Sequence, residues 1–188
     1  MKENSEMITA QQMDEYCIRN GLGYYPDTSY KKDFAVLEEQ IREQEELLMA
    51  FIANNLYNAD SAVSWNGNVA VVLTDRRMLY GKKTLFTSPV RIVDLVDITD
   101  ISESRFGNYE TKLIIDSAVG ERIMLGLNRM NAEKVIKLLK ETTESQKTLG
   151  KKRVVSVADE LLRFKQLLDM NAITAEEYEK KKKELLGD

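Results

Sequence analysis

The chain has 188 residues, 43% hydrophobic and 31% charged, enough for one domain of ordinary size with a real core plus appendages. No histidine and a single cysteine, Cys17, exclude an intrachain disulfide, the usual Cys/His zinc sites and any Ser-His or Cys-His nucleophile, so neither catalytic residues, a metal nor a cofactor is expected. The net charge of −4 is uneven: residues 1–45 carry 5 Lys+Arg against 10 Asp+Glu, residues 46–149 carry 13 against 13, and residues 150–188 carry 9 against 8, a balance that argues against a nucleic-acid partner.

The start, Met1-Lys2-Glu3-Asn4-Ser5-Glu6, is polar, and there is no run of eighteen apolar residues. Neither a signal peptide nor a membrane span is expected, and the expected location is the cytoplasm. Ile8-Thr9-Ala10-Gln11-Gln12-Met13 then supplies a hydrophobic staple, an N-cap and a capping-box partner. The spacing predicts a helix from about Ala10 to Asn20, closed by Gly21, with Met13, Tyr16 and Cys17 on its apolar face. Gly21 to Lys32 reads as an ordered aromatic linker. Phe34, Leu37 and Ile41 recur at helical spacing and predict a second helix from about Tyr30 to Arg42.

From Leu47 the period becomes that of strands. Leu47 to Asn55 is an apolar run, Val69, Val71 and Leu73 alternate with smaller or polar neighbours, and Met78 and Tyr80 continue beyond Thr74-Asp75. Turns are marked by Asn66-Gly67 and by Gly81 to Lys83. Further strands are expected at about Val90 to Leu95, Ile98 to Arg105, Glu110 to Asp116 and Glu121 to Leu127. An amphipathic helix follows, capped at Asn128 or Asn131, with Ala132, Val135, Ile136 and Leu139 as its stripe. Thr142 to Arg153 reads as the end of that helix running into a polar linker.

The last stretch reads as a helical hairpin. Ser156 is placed to cap its first helix, Asn171 to end it, and Thr174 with Glu177 to form a capping box for the second. Ile173 to Tyr178 matches Ile8 to Met13 position for position. Two accounts stay open: independent use of one good helix start, or two related ends that bind a partner or pack together. A hairpin of about 30 residues buries too little apolar surface to offset its ordering entropy, so its stripe calls for a neighbour. Leu161, Phe164, Leu168, Ile173, Tyr178 and Leu185 are the candidate partner-binding residues.

Leu161-Leu162 to Leu167-Leu168, the turn, Ile173-Thr174, Glu176-Glu177, Tyr178, the lysines and Leu185-Leu186-Gly187 resemble the SHOCT family, the short C-terminal domain of many bacterial proteins. Asn171 stands where that family usually has Gly. Val71 to Tyr80, with an apolar run, Thr74-Asp75-Arg76-Arg77 and a second apolar run, resembles the hairpin of the bacterial pleckstrin-homology (PH) families, the YokE-like family above all. The resemblance implies an α+β fold: a PH-like antiparallel β-barrel of about seven strands with a C-terminal capping helix, flanked by an N-terminal helical segment and a C-terminal helical hairpin. The domains are then 1–29, a helical segment and linker; 30–146, the PH-like domain; 147–155, a linker; and 156–188, the SHOCT hairpin. It also implies a bacterial or prophage protein.

Arg76, Arg77, Lys82 and Lys83 form the basic cluster of the expected barrel, and Trp65 sits beside a turn. Together they are the candidate ligand or lipid site, read against a solvated basic face and a Trp folded over the barrel end. Asp94, Asp97, Asp100 and Glu103 recur every third residue, which on strands alternates faces and does not converge on a metal. Lys151 to Arg153 and Lys180 to Lys183 read as charged helix surface, the latter interleaved with Glu176, Glu177, Glu179 and Glu184. The expected function is non-catalytic: a protein-interaction or assembly module that binds a partner or self-associates as a homo-oligomer. The alternative is peripheral binding to anionic membrane lipid.

Overall fold

The computed structural model describes residues 8–25, 28–58, 67–170 and 172–187. The chain divides into two compact units, Met1–Gln146 and Lys147–Asp188. In the first, helix α1 (Ala10–Arg19) begins with the full capping box: the Thr9 hydroxyl accepts from the Gln12 amide and Gln12 Oε1 accepts from Thr9 N at 2.8 Å. Glu38, at the end of helix α2 (Lys31–Glu38), accepts from Ala10 N at 2.8 Å, which sets a carboxylate at the positive end of the α1 dipole. At the other end Gly21 is left-handed, φ 63°, and Leu22 N donates to Cys17 O while Gly21 N donates to Ile18 O. This is a Schellman closure, and it turns Leu22 inward, where Leu22 O accepts from Ile52 N.

The α1–α2 connection is held by a buried carboxylate. Asp14 Oδ1 accepts from Tyr30 N at 2.7 Å and Oδ2 from Ser29 Oγ at 2.6 Å, so its desolvation is offset by two short bonds.

Among the described residues the sheet has seven antiparallel strands: β1 (Leu47–Asn58), β2 (Gly67–Thr74), β3 (Arg77–Gly81), β4 (Val90–Asp94), β5 (Ile98–Phe106), β6 (Glu110–Ser117) and β7 (Arg122–Asn128). Their order is β4-β3-β2-β1-β7-β6-β5, two meanders joined where the first strand meets the last. β1 pairs with β2 over Leu47–Asn55 and with β7 over Asn54–Asn58, with an irregularity between Asn55 and Tyr57. A long strand that changes partner midway bends the sheet. No β4–β5 pairing closes it, so the barrel stays partly open, as a PH-like sheet of this strand count followed by one helix.

β2 and β3 do not alternate in burial. Val69 to Thr74 and all five residues of β3 are buried, because α2 packs on β2 and β3 while α1 packs on β1, giving these strands cover on both faces. The N-terminal helix therefore shares one hydrophobic cluster with the sheet, Met13, Cys17, Phe34 and Leu37 being sealed from solvent beside Leu79 and Tyr80. Gly81 is required by this closeness: a Cβ there would lie 2.6 Å from Pro89 O and 3.2 Å from Leu37 Cδ2.

Helix α3 (Arg129–Asp169) starts at Asn128, whose side-chain oxygen accepts from Met130 N at 3.0 Å. Its first turns bury Ala132, Val135, Ile136 and Leu139 in the first unit, as the spacing required. Asn131 instead donates to Gly21 O at 2.7 Å, tying the helix to the α1 closure. The stretch 147–155 read as a linker is helical, and Ser156 lies inside α3 rather than at a cap. Gly150 is the weakest helix former there, and one Gly costs about 1 kcal/mol without stopping a helix.

In the second unit α3 ends through Met170 N to Gln166 O and Ala172 N to Leu167 O. Asn171 lies outside the described residues. Helix α4 (Ala175–Leu186) repeats the capping box of α1, Thr174 with Glu177, and closes on Gly187 at φ 81°.

Candidate interaction surfaces

The expected basic cluster divides into two parts. Arg76 and Arg77 lie at the β2–β3 turn, whereas Lys82 and Lys83 follow the far end of β3, and a five-residue strand sets the two pairs roughly 20 Å apart. Arg77 is internal, 3% exposed: its Nε donates to Glu45 Oε1 at 2.6 Å and its Nη2 to Gln40 O at 2.8 Å. Thr74 Oγ1 accepts from the amides of both arginines, and Asp75 accepts from Glu46 N at 2.9 Å, so the turn is locked onto the lead-in to β1. Arg76 is half exposed, its Nε 3.5 Å from Asp75 Oδ2. Lys83 Nζ donates to Ser88 Oγ and its amide to Asp33 Oδ1. Trp65 lies outside the described residues.

The recurring carboxylates do not converge. Asp94 ends β4, Asp97 lies in the short helical turn before β5, and Asp100 and Glu103 are exposed on β5. Among the described residues no group of three or more such side chains is arranged to hold a metal ion. Burial, then the Asp14 charge, pushes the Cys17 thiol up to about 12. The hydrogen bond from Tyr24 to Glu110 pushes that phenol up to about 12, and burial raises Tyr80.

The six hairpin residues chosen from the sequence, Leu161, Phe164, Leu168, Ile173, Tyr178 and Leu185, are all half-buried. Lys181 Nζ sits 5.8 Å from the centre of the Phe164 ring, a contact between the two helices. The outward apolar residues are others: Leu162 is 59% exposed, Met170 74% and Leu186 54%. Residues 159–186 match the family model of the short C-terminal domain. The hairpin is a SHOCT domain.

No curated protein matches the chain in sequence. Among solved structures, the N-terminal PH domain of Vps36 is similar at 19% identity, covering 57% of this chain and 86% of that one with a TM-score of 0.47. The C-terminal domain of an unknown protein from Leishmania infantum is similar at 15% identity, 60% and 94% coverage and a TM-score of 0.43. A truncated linker-DH/PH fragment of p115-RhoGEF is similar at 12% identity, covering 72% of this chain and 40% of that one, TM-score 0.43. All three superpose below a TM-score of 0.5, so the PH-like character rests on the chain's own strand order and closing helix, beside its SHOCT domain.

Three features escaped the sequence reading. An open cleft of about 610 Å³ lies between α1, at Gln12, Glu15, Tyr16 and Arg19, and the segment Gln44 to Leu47. A smaller one of about 300 Å³ is lined by Ile18, Tyr25, Met130 and the α1 closure. Both are assembled by long-range packing and leave no local signal. The third had one: Leu85 and Phe86, an adjacent apolar pair between threonines and after two lysines, are 93% and 94% exposed. No described helix is long and apolar enough to cross a membrane.

Proposed function

We propose that the chain is a non-catalytic interaction and assembly module, in which the SHOCT hairpin docks on another protein chain, either a partner or a second copy, and the PH-like unit is the folded scaffold. The reading is supported above all by one observation. No described residue of α4 is buried, while Leu162, Met170 and Leu186 stand more than half exposed. A two-helix unit that leaves so much apolar surface in water gains stability by covering it. The half-buried set, Leu161 to Leu185, then has the role of holding the two helices in register, and the exposed set that of making the contact.

Light scattering on the eluting protein and affinity capture, with and without residues 156–188, test this. A mass above the monomer, or a captured protein, is expected, and Leu162→Glu with Met170→Glu should remove it while the unfolding midpoint stays within about 2 °C, since exposed substitutions are usually nearly neutral. A strict monomer that captures nothing would sink the proposal.

A further inference from the structure

The cleft between α1 and the segment Gln44 to Leu47 measures about 610 Å³, within the size range of small-molecule sites, and both of its walls are fixed. On one side Glu46 N donates to Asp75 Oδ1 at 2.9 Å, Glu46 O accepts from Asp75 N at 3.0 Å, and Glu45 N donates to Arg42 O at 3.0 Å. On the helical side Gln12 belongs to the capping box that starts α1, and Glu15 Oε1 accepts from Gln11 Nε2 at 2.5 Å. A ligand entering here meets walls that are already ordered.

Glu45 lines this cleft and is its least satisfied group. Its Oε1 accepts from Arg77 Nε at 2.6 Å, but Oε2 is buried with no hydrogen-bond partner, and the side chain has no solvent exposure through which water could serve instead. A buried carboxylate oxygen without a donor is unfavourable, and a ligand that brings an N–H to it relieves that cost. The rest of the lining suits the same chemistry. Glu15 and Glu46 add two carboxylates against a single described cation in the wall, Arg19. Residues 1–45 as a whole carry 10 Asp+Glu against 5 Lys+Arg, so the local field favours a cation.

The cation that fits is not a point charge. Among the described residues no group of three or more such side chains is arranged to hold a metal ion, so the three carboxylates call for positive charge spread along a molecule. Ile8, Tyr16 and Leu47 supply apolar lining that suits methylene groups, and an ammonium over the Tyr16 ring gains cation–π attraction.

We propose that this cleft binds a linear aliphatic polyamine, with one ammonium donating to Glu45 Oε2, others paired with Glu15 and Glu46, and the methylene segments against Ile8, Tyr16 and Leu47. An ammonium carries three donors, enough to reach Glu45 Oε2 and a second acceptor at once.

The test is calorimetric titration of the full chain with spermidine at physiological salt. Saturable binding is expected, weaker with cadaverine, which has two ammonium groups instead of three, and retained in excess magnesium chloride, whose hydrated ion does not reach Glu45 Oε2. Glu15→Gln with Glu46→Gln should weaken spermidine binding at least about tenfold, because two charged hydrogen-bond acceptors are lost. Gln44→Trp leaves the charge unchanged and fills the cleft, and should weaken binding by at least about the same factor. Glu179→Gln with Glu184→Gln removes equal charge from α4, which contributes nothing to the cleft, and should leave the affinity within about twofold of the parent.

Glu15, Gln44 and Glu46 are exposed, so the unfolding midpoint should stay within about 2 °C in these variants, and either one carries the test if the other does not fold. No saturable uptake of spermidine would overturn the proposal. So would loss of binding to magnesium, or equal weakening by the Glu179→Gln/Glu184→Gln control, since both mark a diffuse attraction to an acidic chain. A Gln44→Trp chain that folds and binds like the parent would overturn it as well. The SHOCT proposal is untouched by any of these results, because its variants and readout involve other residues.

Discussion

Replacing Arg77 by Met tests the internal placement of a residue that its sequence context offers as a surface ligand. The guanidinium is 3% exposed and bridges Glu45 Oε1, at 2.6 Å, and Gln40 O, at 2.8 Å, so it joins the end of the α2 region to the start of β3. Removing it leaves the Glu45 side chain, which has no solvent exposure, as a buried charge without a counterion. Breaking one partner of such a pair costs about 3–5 kcal/mol. At 2–4 °C per kcal/mol for a domain of this size, the melting midpoint should fall by roughly 6–20 °C in differential scanning calorimetry.

The double change Arg77→Met with Glu45→Leu should recover most of that loss. Glu45 Oε2 has no hydrogen-bond partner, so the pair is incompletely satisfied and its apolar replacement forgoes little. Arg76→Met, by contrast, removes a half-exposed side chain beside Asp75 and should change stability by under about 1 kcal/mol. An Arg77→Met chain as stable as Arg76→Met would refute the reasoning and return Arg77 to the surface.

Gly81→Ala should destabilise by at least about 2 kcal/mol in urea unfolding, because its Cβ meets the backbone oxygen of Pro89 at 2.6 Å and neither strand can give way without losing the β3–β4 pairing. Thr9→Ala should cost about 1 kcal/mol in the same assay, since the capping box of α1 belongs to the packed unit. Thr174→Ala should instead show as faster amide exchange over the first turn of α4, with little change in the main unfolding transition. The Glu177 carboxyl is held below its ordinary pKa by the backbone and then the side-chain hydrogen bonds of Thr174. A lowered folded-state pKa stabilises α4 above the ordinary carboxylate range, and that contribution is lost as pH falls through the lowered value. NMR titration should find Glu177 below its ordinary pKa, and the shift should shrink in Thr174→Ala, which removes the hydroxyl bond and keeps the backbone one; an unshifted Glu177 in the parent chain would refute the cap.

Local signals served well where one residue dictates backbone geometry. Thr9-Gln12 and Thr174-Glu177 form the capping boxes that their spacing demands, Gly21 and Gly187 take the left-handed conformation, and the apolar stripe of α3 falls at Ala132, Val135, Ile136 and Leu139. Signals of surface and burial served less well. Arg76-Arg77 reads as one basic pair, yet Arg76 belongs to the turn while Arg77 opens β3 and meets Glu45 inside. Helical spacing groups Leu161, Phe164 and Leu168 as one stripe, and these are half-buried, while Leu162 and Met170 are exposed.

The sequence by itself determined the Thr9 and Thr174 caps, the strand count with its closing helix, and the SHOCT pattern, because each depends on residues within a few positions of one another. Tertiary structure decided which faces are covered. The α1–α2 pair lies over β1, β2 and β3, so Val69 to Thr74 are buried without alternation and Gly81 has no room for a methyl group. It also decided which charges are spent inside, Arg77 and Asp14, and which apolar residues are left in water, Leu85 and Phe86. Burial is a property of what arrives from elsewhere in the chain, and no local period carries it.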